Sequence, residues 1–124
     1  MDGSRLRQEV ARCFRDIVKL KDELSSRRPM ARGTVYLLKR KCGKENCRCQ
    51  KGKLHSQICL AWGEGGRKYL RPLKGEEEIA RYKKLTTNKR RFCKARSKFV
   101  RLSKRVVDLS NKLEQEMLRK GGRR

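Results

Sequence analysis

Acid is scarce in this sequence. Thirteen Asp and Glu stand against 37 Lys and Arg, giving a formal net charge of +24 over 124 residues. Histidine is scarcer still, with His55 alone, which leaves no spare imidazole for a Ser/His/Asp set once that residue has another role. The chain has no glycine-rich phosphate loop of the Walker type. It also lacks the H-x-E and P-C-x-x-C pair of the zinc deaminases. Nothing approaches the roughly 20 apolar residues of a membrane span. The opening "MDGSRLRQEVARC" has no apolar signal core, so the expectation is a cytoplasmic chain with reduced thiols. Apolar residues are 35% of the total, too few for a large core in so small a chain. Its stability has to come from a metal, helix pairing, an oligomer or a polyanion.

What is there in excess is positive charge. Unpartnered, it opposes compaction. Its natural counterpart is a phosphate backbone, which Lys and Arg neutralise with release of counterions. An anionic membrane surface suits it less, because no basic helix here has a strongly apolar opposite face rich in Trp and Leu.

Periodicity predicts an α+β chain. Leu6, Val10, Cys13, Ile17, Leu20 and Leu24 alternate spacings of four and three, which predicts a helix over 4–26 ended by Ser25, Ser26 and Pro29. "GTVYLLKRK" (33–41), "QICLAW" (57–62) and "RKYLRPL" (67–73) read as strands, with a turn at "GEGG" (63–66) and Pro72 marking an end or edge. They predict a small three-stranded antiparallel sheet. A long helix follows from Gly75, with Glu76, Glu77 and Glu78 in its first turn, where the helix dipole favours them. Leu85, Phe92, Phe99, Val106 and Leu113 recur every seven residues, with Ala95, Leu102 and Leu109 as companions: a coiled-coil-like seam. Thr86, Thr87 and Asn88 are poor helix formers and predict a kink or short break. The implied division is an N-terminal helix (1–28), a β module (33–73), a long basic helix (75–120) and a flexible tail (121–124). The first helix should fold back antiparallel on part of the long one, leaving the remaining seam for a homodimer or another protein.

"KCGKENCRCQKGKLH" (41–55) carries the clearest chemistry. Cys42-x4-Cys47-x-Cys49-x5-His55 offers three thiolates and one imidazole within 14 residues, the donor number and type zinc takes in closed structural sites. Gly43 and Gly52 permit tight turns, and the surrounding lysines and arginine favour thiolate. Cys59 is a fifth candidate, but between Ile58 and Leu60 it reads better as a small packed residue. Cys13 and Cys93 also read as packing residues. A disulfide is disfavoured in a reducing compartment. With all donors in one segment the site reads as structural, and no enzyme is expected.

The stretch "GTVYLLKRKCGKENCRCQKGKLHSQICLAW…GRKYLRPL", followed by a basic long helix, resembles a family of small uncharacterised prokaryotic proteins found also in mobile elements, with a C-G-K-x-x-C-x-C-x-x-G-x-x-H-G-P core. The likeness covers roughly residues 33–105. Cys42, Gly43, Lys44, Cys47, Cys49, Gly52 and His55 fall on that core, while Ser56 and Gln57 replace its Gly-Pro. The resemblance implies a zinc-ribbon-like module and brings no activity.

Two basic regions flank these elements. Lys39, Arg40, Lys41, Lys44, Arg48, Lys51 and Lys53 surround the cysteines, with Glu45 the one acid. Residues 81–105 contain twelve Lys and Arg and no acid: Arg81, Lys83, Lys84, Lys89, Arg90, Arg91, Lys94, Arg96, Lys98, Arg101, Lys104 and Arg105. So broad a surface suits phosphates or folded RNA more than base edges, and no helix-turn-helix, RRM or C2H2 signature is present. Tyr36, Trp62, Tyr69 and Tyr82 are candidates either for base stacking or for the sheet core. The reading is a zinc-containing nucleic-acid-binding protein, RNA favoured over DNA, suited to a ribonucleoprotein or mobile-element assembly. The alternative is a coiled-coil adaptor with an acidic protein partner.

Overall fold

The computed structural model describes residues 2–40, 43, 46, 52 and 54–122. It has the α+β arrangement expected: an N-terminal helix, a three-stranded antiparallel sheet and a long C-terminal helix. The elements are α1 (Gly3–Lys19), α2 (Lys21–Leu24), β1 (Thr34–Arg40), β2 (His55–Glu64), β3 (Arg67–Pro72) and α3 (Gly75–Gly121). They form two compact units, one of residues 1–27 with 91–124 and the other of residues 28–90.

In the first unit, α1 opens on an Asp2 cap whose carboxylate accepts the Arg5 N–H at 2.8 Å. That hydrogen bond holds the Asp2 carboxyl below its ordinary pKa. Leu6, Cys13 and Leu109 are buried together, with Val10, Leu102, Val106 and Leu113 packed around them. Two contacts fix the direction. A Cβ on Gly3 would stand 3.0 Å from Met117 Cε, and Glu23 pairs with Arg91 at 2.7 Å. The start of α1 therefore meets the end of α3, and α2 meets residue 91, so the helices run antiparallel. This differs from the expected free seam. Val106 and Leu113, both on the seam read from the sequence, lie against α1 of the same chain. The apolar spacing on α1–α2 from Leu6 to Leu24 matches the helical rise on α3 from Arg91 to Leu109, so the shorter segment covers that stretch.

In the second unit, β2 lies between β1 and β3. The β2–β3 hairpin turns on Gly65 and Gly66, with φ of 57° and 78°, between the paired Glu64 and Arg67. Two successive positive φ values make this a two-residue type I′ turn. The strands therefore run on through Gly63 and Glu64, which the sequence reading placed in the turn. Pro72 sits on the edge strand, where its missing N–H breaks no ladder in the sheet interior.

Val35, Leu60 and Arg71 share one sheet face, and Arg71 ties it to α3. Its Nη1 donates to Tyr82 Oη at 2.8 Å and its Nη2 to Glu78 Oε1 at 3.0 Å.

Helix α3 is unbroken through Thr86–Asn88, where the sequence predicted a kink or break. The polar side chains have tertiary uses instead. Thr86 Oγ1, buried, donates to the Tyr82 carbonyl at 2.8 Å. Asn88 Nδ2 donates to the Pro29 carbonyl at 3.0 Å, and the Ala31 N–H donates to the Leu85 carbonyl at 3.1 Å. These bonds fasten the 29–31 connector along the helix.

Candidate nucleic-acid interface

His55 is the first residue of β2 and is paired with Arg40, the last residue of β1. The intervening segment thus leaves and re-enters the sheet at neighbouring positions. Cys42, Cys47 and Cys49 lie outside the described residues, as do Lys41, Lys44, Arg48, Lys51 and Lys53. Among the described residues no group of three or more His, Cys, Asp or Glu is arranged to hold a metal. Cys59 is buried in β2 with Sγ 3.9 Å from the Gln57 carbonyl, and Cys13 is buried in the helical core. Lys39 and Arg40 are exposed at the end of β1.

The basic residues of α3 divide by face, and the antiparallel partner decides which faces are free. Arg91 is held by Glu23 at 2.7 Å and so has a structural role. One heptad further along both helices at a time, Asp16 comes level with Lys98 and Glu9 with Arg105. In the structure these two acids bond locally instead, Asp16 to Lys19 at 3.7 Å and Glu9 to Arg12 at 3.6 Å. Arg96 lies with its guanidinium 5.4 Å from the Phe92 ring centre. Arg90 donates to Thr87 Oγ1 at 3.3 Å. Lys89 is half-buried, whereas Lys83 and Lys84 are exposed.

Lys94, Arg101 and Lys104 stand apart from these. They occupy the side of α3 turned away from the α1 seam, all are exposed, and among the described residues no carboxylate pairs with them. Lys98 and Arg105 border this face and are also exposed. Three to four residues apart on a helix, such side chains project side by side.

The aromatic candidates are mostly used within the fold. Trp62 and Tyr69, paired across β2 and β3, stack at 5.4 Å with planes 17° apart. The Tyr82 ring lies 5.3 Å from the Arg71 guanidinium. Tyr36 and Tyr69 keep part of their surface in solvent. Sequence reasoning left out Arg67 and Lys68, exposed on the edge strand β3. Their signal was present in the "RKYLRP" alternation, where basic and aromatic residues interleave.

The chain matches a domain of unknown function (DUF6788) over residues 7–81. It belongs to the DUF6788 family. The DUF6788 span takes in most of α1, the whole sheet with its cysteine segment, and the first turns of α3; Lys94, Arg101 and Lys104 lie beyond it. Searches of curated proteins and of solved structures found no match.

Proposed function

We propose that this chain is a non-enzymatic, zinc-containing nucleic-acid-binding protein that grips phosphates through the outward face of α3. The observation that carries the reading is the set Lys94, Arg101 and Lys104: exposed, basic and without carboxylate partners among the described residues. A helix face of this kind stabilises phosphates electrostatically and reads no bases. Folded RNA is favoured over duplex DNA, because the positive charge is spread widely and the sequence carries no helix-turn-helix or C2H2 signature.

Cys42, Cys47, Cys49 and His55 would hold the zinc. Three thiolates with one imidazole fit the preferences of that ion. The Arg40–His55 pair supports the assignment by bringing the two ends of the donor segment to adjacent strand positions. Bound there, zinc supplies folding free energy to the sheet end.

The test is to purify the chain from cells without nuclease, sequence the nucleic acid that accompanies it, and titrate that species against salt. Co-purification with a steep salt dependence is expected. Tight, salt-insensitive capture of a protein with no nucleic acid would replace this reading with that of an acidic-partner adaptor.

A further inference from the structure

The third face of the helical unit lies between the seam and the basic surface. On the flank of α3 opposite Arg91, the chain places Arg96, Val100, Ser103, Val107, Ser110 and Glu114. In a chain that is 40% charged, this belt holds two charged residues, one of each sign. Val100 is 44% exposed and Val107 59% exposed, and both line a shallow concavity with Ser103, edged by Arg101, Lys104, Arg105 and Asp108. The matching flank of α1 carries Ala11, Phe14 and Val18, with Phe14 51% and Val18 68% exposed. Antiparallel helices juxtapose like flanks. The Glu23–Arg91 pair identifies one side, so Phe14 and Val18 border the other, beside Val100 and Val107.

We propose that this flank is the interface of a two-fold dimer in which the α3 helices of two copies pack antiparallel about the level of Arg105. The occupant follows from the order of residues. Under such a two-fold, residue pairs whose numbers share one midpoint face each other. Arg96 then meets the partner's Glu114, Val100 the partner's Ser110, and Ser103 the partner's Val107. Opposite charges meet at both ends, and a large side chain meets a small one at each step between. An isologous interface needs this self-complementarity. From residue 96 to 114 the belt is about 27 Å long, and two helices give it a width of about 20 Å, so two copies cover on the order of 1,000 Å². That reaches the lower bound for a specific interface. The dimer leaves Lys94 in solvent, places Arg101 and Lys104 at its rim because they line the same concavity, and does not depend on the nucleic-acid reading.

The test is sedimentation of the full chain in reductant, stripped of nucleic acid at high salt and measured at moderate salt. Wild type is expected as a dimer at micromolar concentration. Val100→Lys with Val107→Lys should give a monomer of unchanged helicity, with the dimer dissociation constant raised at least about 100-fold. Arg96→Glu alone and Glu114→Arg alone should each raise it about 5–10-fold, because like charges then meet at both ends. Combining the two reversals should bring it back to wild type. If the valine variant loses helicity, the reversal pair decides. A wild-type monomer, or a combined reversal weaker than either single one, overturns the proposal, and so does a valine variant that stays dimeric.

Discussion

Asn88 spans 59 positions of sequence to donate its side-chain amide to the Pro29 carbonyl at 3.0 Å. The residue is 8% exposed but Pro29 is exposed, so removing the amide leaves that carbonyl within reach of water. Asn88→Ala should cost about 1–1.5 kcal/mol, the upper part of the usual net worth of one hydrogen bond. Thr86→Val should cost less, within about 1 kcal/mol, because the carbonyls its hydroxyl touches also serve the helix ladder and the shape is kept. Urea unfolding of both variants checks the order, and a costlier Thr86→Val would show that the connector contact is unimportant.

Gly33 turns the connector into β1 with φ of 106°, and a Cβ there would lie 2.2 Å from the Ala61 carbonyl oxygen. No rotamer relieves that clash, since both atoms are tied to backbone. Gly33→Ala should therefore destabilise by about 3 kcal/mol or more, from clash and strained φ together. The loss should be visible in the fluorescence of Trp62, whose Cβ is also 3.0 Å from the added atom. A wild-type melting temperature would contradict the close approach.

Changing Lys94, Arg101 and Lys104 to Gln should weaken binding equally for all nucleic-acid sequences. If all three touch phosphate, the slope of log affinity against log salt should flatten by about 2–2.7. Helicity should hold, because none of the three packs in the core or bonds a carboxylate among the described residues. Arg91→Gln should behave oppositely, lowering stability through the lost Glu23 pair while barely changing the slope. Equal slopes in wild type and the triple variant would remove this face from the interface.

Elemental analysis should find one zinc per chain. Cys47→Ser and His55→Ala should each lose it and loosen the sheet, because metal binding and folding are coupled at such sites. Cys59→Ser should keep the zinc and lose stability alone, since its sulfur is buried within β2. Zinc should also leave on acidification, as protons compete for the thiolates and imidazole, so this part of the stability is present at neutral pH and lost as pH falls. Full zinc retention in Cys47→Ser would exclude the assignment.

Much of this architecture was legible in the order of residues. The spacing from Leu6 to Leu24 and from Phe92 to Leu113 announced two helices with one seam each, because side chains three and four apart share a helix face wherever the helix lies. "GEGG" (63–66) between two β-branched and aromatic runs announced the hairpin, and the structure narrows its turn to Gly65 and Gly66, where consecutive positive φ values favour glycine. The excess of Lys and Arg set the expectation of a polyanionic partner before any fold was known. Other features had no local pattern. Thr86-Thr87-Asn88 looked like a helix breaker because propensity measures a residue against its neighbours, whereas Asn88 bonds a carbonyl 59 residues away. Arg91 looked like one basic residue among twelve until α2 brought Glu23 to it. Only the antiparallel placement of α1 decided which side of α3 is core, which is basic and exposed and which presents Val100 and Val107 to solvent. A helical repeat specifies the angle between side chains, and the packing of a second helix decides which of those angles face water.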